Sequence, residues 1–184
     1  VTANDVIIEP VYITYQSGQS IKEALLASNH SFVGLEQGFI YEIDGVVANF
    51  SLFYSGNGYN LDADASSIDA LCIGVTSQYS EALMELIVLM AQYRQMGNIK
   101  NAPDAQAAYS NGLKAIRNGN ADAATAALNS LRDEIKEYND RLNGTKYTVT
   151  VTATQGDTTL AAPVVTLTDI YGNQTSVTGS AIQV

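Results

Sequence analysis

The hydrophobic rhythm of this chain changes twice, and that change constrains the fold more than any single motif. Between Val6 and Val75 apolar and β-branched residues come in short runs, from 79 to 142 they recur at helical spacing, and from Lys146 onward they alternate with threonines. A strand buries alternate residues and a helix buries a stripe of period 3.6, so one packing scheme cannot serve all three stretches. The pattern predicts an α+β chain in three units: residues 1–77 forming a small β-rich domain, 78–143 about three helices, and 144–184 a short antiparallel β segment.

In the first unit, Val6 to Tyr15 is β-branched and aromatic and reads as an edge strand bent at Pro10, since proline cannot donate to a ladder. Gln16 to Gln19 is a turn. Ser20, with Glu23 three residues later, is a capping box that starts a short helix running to about Ser28. Asp44-Gly45 is the strongest hairpin signal, with Phe39–Ile43 entering it, Val46–Ala48 leaving it, and Leu52-Phe53-Tyr54 extending the second arm. After a Gly-, Asn- and Asp-rich loop from Ser55 to Asp64, the mostly apolar run Ile68–Val75 reads as a buried strand.

Residues Tyr79, Ala82, Leu83, Leu86, Ile87, Met90 and Tyr93 share one helical face, and Val88 and Leu89 widen it, so this helix is expected to be covered on two sides before Gly97-Asn98 stops it. Pro103 and Asp104 open a second helix with the stripe Ala105, Ala108, Tyr109, Gly112, Leu113, Ile116, ending at Asn118-Gly119. Asn120 caps a third, whose face is Ala124, Ala127, Leu128, Leu131, Ile135, Tyr138 and Leu142 and which ends at Asn143-Gly144. The short link makes the second and third an antiparallel hairpin.

Beyond Lys146, Tyr147, Val149, Val151 and Ala153 alternate with threonines, and two more strands follow around Val164–Thr168 and Thr175–Val177. A complete immunoglobulin-type sandwich takes roughly 100 residues. These strands therefore form part of a β domain, pack on the helices, or complete the first unit's sheet.

Of the 184 residues 46% are apolar and 15% charged, a composition that excludes disorder, and the net charge is -10 at pH 7. Residues 1–78 carry nine acids against the single base Lys22, a net of -8; residues 79–142 hold eight acids against seven bases. Such a surface repels phosphate backbones and anionic headgroups, so neither nucleic acid nor a membrane surface is an expected partner. No apolar run approaches the roughly 20 residues of a membrane-spanning helix, and a soluble chain is expected. One Cys, one His and no Trp exclude a disulfide framework and a His-paired or thiolate metal site within one chain. A Cys-poor, Thr-, Ser- and Asn-rich chain that begins with Val1 has the look of a processed or excised bacterial exported protein.

The candidate chemistry is sparse. Asp62 and Asp64, with Ser66, have the start of a calcium-loop spacing, but Ser67 stands where Gly is required and Ile73 where the bidentate Glu belongs, so no metal is expected. His30 has Ser28, Ser31 and Glu36 nearby without a positioned nucleophile and orienting acid. Cys72, in an apolar run, is expected to be a small buried hydrophobe. No catalytic residue and no cofactor is assigned. A recognition surface is best placed at Tyr54, Asn57 and Tyr59, because loops on a rigid sheet carry contacts and Tyr offers area with few rotors.

Gly18 to Leu26, Phe39 to Gly45, Ser51 to Tyr54 and Asn60 to Asp62, taken in order, resemble the bacterial surface domain similar to the C-terminal domain of transcobalamin, over residues 6–76. That family implies a small β-grasp-like fold. Where it has Trp and an Asn-Gly hairpin in the next strand, this chain has Phe53-Tyr54-Ser55-Gly56-Asn57-Gly58, and cobalamin binding is not inferred. The helical segment is similar to the FIVAR-type repeats of Gram-positive wall-attached proteins, and Val164 to Asn173 resembles bacterial immunoglobulin-like or invasin-like repeats. The three resemblances together imply a non-catalytic module of an extracellular, cell-surface or cell-wall protein of a Gram-positive bacterium, adhering to a protein or glycan through the first unit. The competing readings are a carbohydrate-binding accessory region of an extracellular enzyme, and a glycoside hydrolase using two carboxylates.

Overall fold

The computed structural model describes the chain except for residues 3, 55, 56, 59, 76–79, 98, 100, 101, 145–147, 160, 169–173, 180 and 184, and describes the backbone alone at 53, 54, 57, 58, 142, 148 and 181–183. Among the described residues four α-helices and an antiparallel five-stranded sheet make a mixed α+β structure, with three further two-stranded ladders near the C-terminus.

Helix α1 (Ile21–Leu26) begins where the capping box places it: Ser20 accepts from the Glu23 backbone N–H, and the Glu23 carboxylate accepts from Ser20 in return. Two further N–H groups of its first turn, on Ile21 and Lys22, donate to the carbonyls of Ala63 and Leu61, so the 60–65 loop supplies acceptors the helix lacks. The helix stops at Leu26 with Ala27 as C-cap, slightly before Ser28. Ile21, Ala24 and Leu25, at i, i+3 and i+4, turn inward.

The sheet is built on strands β1 (Phe32–Val33), β2 (Ile40–Ile43), β3 (Val46–Tyr54), β4 (Asn57–Gly58) and β5 (Cys72–Gly74). Strand β3 is central, pairing antiparallel with β2, β4 and β5, while β1 pairs with β2. The β2–β3 turn is Asp44-Gly45, with Asp44 at φ 49° and Gly45 at φ 83°, the left-handed pair a two-residue hairpin needs. Ile40 and Ile43 are an odd number of residues apart, so a regular ladder would send them to opposite faces. A register shift between Ile40 and Glu42 lets both sit in the core, opposite Phe50 and Val46. With Ile21, Leu25, Leu35, Leu61 and Ala65 they form the first hydrophobic cluster.

Two strand expectations need correction. Residues 6–15 form no strand; they run as an irregular strap with Pro10 buried and Ile7, Ile8 and Ile13 packed against the first cluster. Consecutive Ile7 and Ile8 are both half-buried, which alternation across a sheet does not allow, and Pro10 has no N–H to offer a ladder. The second concerns 68–75, of which only Cys72–Gly74 is strand.

Helices α2 (Glu81–Gln95), α3 (Pro103–Asn118) and α4 (Ala121–Leu142) pack on one another. Ser80 caps α2, Pro103 occupies the first turn of α3, Gly119 closes α3 at φ 59°, and the Asn120 side chain accepts from the Ala123 N–H to start α4. Leu83, Leu86, Met90, Ala105, Ile116, Ala124 and Leu131 are at most 2% exposed, and Val88 and Leu89 pack against the same cluster. Each of the Leu, Ile and Met side chains removed from water contributes about 1.5–3 kcal/mol. The cluster also takes in Ala70 and Cys72, so the interior of the helices extends to the edge of the first sheet.

The last ladders are β6 (Thr148–Thr150) with β11 (Ala181–Gln183), β7 (Thr154–Gln155) with β8 (Thr158–Thr159), and β9 (Val164–Thr168) with β10 (Gln174–Thr178). Strand β9 alternates between exposed and half-buried, the period-2 signature. Among the described residues these strands pair with each other and not with the first sheet, and none enters either hydrophobic cluster.

Candidate functional site

The residues singled out for recognition fall at the end of β3. Asn57-Gly58 is a strand, not a flexible loop: Tyr54 pairs in register with Asn57 and Phe53 with Gly58, which makes a short hairpin. Phe53 is at the same time paired with Cys72 of β5. Tyr54 and Asn57 thus stand opposite each other on a ladder held from its other edge. Tyr59 lies outside the described residues.

The acidic loop spends its carboxylates locally. Asp62 Oδ1 lies 2.9 Å from Lys22 Nζ, and Asp64 Oδ1 accepts from the Ser66 N–H at 2.8 Å and from its hydroxyl at 2.7 Å, capping a short 3-10 turn over Ala65–Ser67. These Ser66 bonds, hydroxyl first, hold the Asp64 carboxyl below its ordinary range. Asp62 and Asp64 therefore serve different partners, and no group of three or more His, Cys, Asp or Glu converges among the described residues. Cys72 is buried at 3% exposure in β5 and forms no disulfide.

His30 has an orienting acid that adjacency in sequence did not reveal. Its Nδ1 lies 2.8 Å from Asp44 Oδ2, while Asp44 Oδ1 accepts from the Ser31 N–H at 2.8 Å and the Asp44 N–H donates to the Ser31 carbonyl at 2.9 Å. The Ser31 N–H first, then His30, holds the Asp44 carboxyl below its usual value of 3.8. Ser28, one of the neighbours weighed from sequence, is engaged otherwise: its hydroxyl donates to the Leu25 carbonyl. The usable signal was the hairpin itself, because a turn Asp at positive φ is fixed in space and can reach a distant partner.

His30 lines an apolar cleft of about 410 Å³ between the strap, the first unit and the helices. Ile7, Ile8 and Ile13 form one wall, Leu25, Phe32 and Ile43 another, and Ile87, Val88 and Ala91 of α2 a third. Polar bonds hold the strap in place: Tyr109 Oη donates to Glu9 Oε2 at 2.7 Å, Arg94 donates to the Pro10 carbonyl at 3.2 Å, and the Arg94 and Glu9 charges lie 3.9 Å apart. Burial, then the Glu9 carboxylate, raises the Tyr109 phenol well above its ordinary value. Among the described residues, no helix is long and apolar enough to cross a membrane.

No family model, curated protein or solved structure matches this chain.

Proposed function

We propose that the chain is a non-catalytic module of a Gram-positive extracellular or cell-surface protein, in which a β-grasp-like first unit adheres to a protein or glycan while the helices act as a spacer. The reading rests on the β3–β4 hairpin, where the ladder sets Tyr54 opposite Asn57. A tyrosine and an asparagine held in backbone register, on a ladder whose other edge is paired with β5, are fixed in position as recognition requires. The transcobalamin-like series over 6–76, the FIVAR-like helices and the partial immunoglobulin-like strands support the same setting. The carboxylates of Asp44, Asp62 and Asp64 are each engaged in a turn or an ion pair, which favours a binding role over acid–base chemistry.

The test is a panel of glycans and extracellular proteins probed with the intact chain and with Tyr54→Ala plus Tyr59→Ala. Saturable binding lost in the double variant supports the proposal. If every saturating spot is a sugar, the carbohydrate-binding accessory reading replaces adhesion to protein; binding that ignores both substitutions overturns the assignment of the surface.

A further inference from the structure

We infer that the cleft beneath the strap is a binding site for an uncharged apolar small molecule, separate from the β3–β4 surface and independent of the adhesive reading. Its volume of about 410 Å³ falls within the roughly 300–1,000 Å³ of small-molecule sites, which favour the seams between packed units. This cleft is such a seam. Ile7, Ile8, Ile13 and Phe32 pack against the first hydrophobic cluster, Ile87 and Val88 against the helical one, and all six line the cleft. Each is only half-buried, so the two clusters do not close on each other along this line. In a close-packed interior a gap this wide forfeits dispersion contacts on both walls, and an apolar occupant restores them. Water is a poor filler, since a buried water needs about two to four polar partners and these walls are aliphatic and aromatic. The charged groups of the cleft select no ion, because each is already engaged or hydrated. Glu9 accepts from Tyr109 and lies 3.9 Å from Arg94, the Val1 ammonium donates to the Ile73 carbonyl at 2.6 Å, and Asp69 is exposed to water. His30 is tied through Nδ1 to Asp44. A charge carried into the cleft gives up hydration without gaining a partner, so a neutral hydrocarbon body is the chemistry that fits.

The probes are 2-methylnaphthalene, 2-naphthylmethylammonium and 2-naphthoate, one ring system with no charge, a positive charge and a negative charge, titrated into the intact chain at pH 7 and followed by methyl NMR. The hydrocarbon is expected to bind saturably, to shift the methyls of Ile8, Ile13 and Val88 together, and to bind about tenfold more tightly than either ion. Val88→Phe, which puts a ring into the cleft, is expected to weaken the hydrocarbon by about tenfold. Absence of saturation by the hydrocarbon, shifts confined to residues outside the cleft, an ion that binds as tightly, or an unchanged affinity in a folded Val88→Phe overturns the proposal. If Val88→Phe does not fold, the wild-type methyl map and the hydrocarbon-to-ion comparison decide it.

Discussion

Tyr109 on α3 donates its phenol proton to Glu9 on the strap at 2.7 Å, joining positions a hundred residues apart. With Arg94 on the Pro10 carbonyl, this bond fastens a segment that has no ladder of its own to the helices. Removing the hydroxyl in Tyr109→Phe leaves the carboxylate half exposed, so the expected cost is about 1.5 kcal/mol, the lower end for a hydrogen bond to a charged group. A lower denaturation midpoint, with faster amide exchange confined to residues 6–13, is the expected result. The phenol is raised above 10, so the folded state holds the proton that the unfolded state gives up; its contribution is complete below pH 10 and declines as pH rises further. The variant should lose that alkaline dependence.

Asp44 works in the opposite pH direction. Its folded carboxyl is depressed below 3.8, so its contribution is present above that value and is lost as pH falls through the lower folded value. Asp44→Asn should therefore be less stable than the parent near neutrality, and the gap should narrow in thermal melts recorded at progressively lower pH below about 4. A gap of constant size down to pH 2 would mean that the carboxylate charge is not what Ser31 and His30 hold.

Tyr93 offers a gain. Its ring packs at 5.4 Å from that of Tyr109, yet its hydroxyl is buried and has no hydrogen-bond partner among the described residues. Burying an unsatisfied hydroxyl costs about 1–3 kcal/mol, so Tyr93→Phe should raise the urea midpoint by the equivalent of about 1 kcal/mol with an unchanged slope. A clear loss of stability would reveal a partner for that oxygen.

Gly34 should not tolerate a side chain. It sits at φ 91°, and a Cβ there would lie 2.6 Å from the Tyr41 ring and 2.8 Å from the Phe39 carbonyl. Left-handed strain alone costs about 1–3 kcal/mol, and the contact with backbone cannot relax by a rotamer change. Gly34→Ala should lower the melting temperature by more than Gly38→Ala, where φ is 90° but nothing lies within 4 Å.

Local signals were the legible ones. The Ser20 and Glu23 capping box, the Asp44-Gly45 turn, Pro103, Gly119 and Asn120 each act through bonds within a few residues, and the structure has each of them in the expected role. What depends on distant packing was not legible. The strap has strand composition, but its environment is the first hydrophobic cluster and the polar groups of Arg94 and Tyr109, not a free sheet edge, and packing overrides β propensity. The same holds for the bulge that brings Ile40 and Ile43 to one side, and for the capture of Ala70 and Cys72 by the helical core. Of the candidate site, Tyr54 and Asn57 are brought together by backbone register, whereas the His30–Asp44 pair spans fourteen residues and needed the hairpin and the post-helix turn to be placed against each other.

The adhesive account is tested most directly by one array measurement, in which immobilised glycans and extracellular proteins are exposed to the intact chain and each spot is then analysed by mass spectrometry. The account predicts saturable retention on at least one spot, weakened by Tyr54→Ala plus Tyr59→Ala, with the immobilised molecule unaltered. Cleavage of the molecule that retains the chain, or retention that the double substitution leaves untouched, would contradict it.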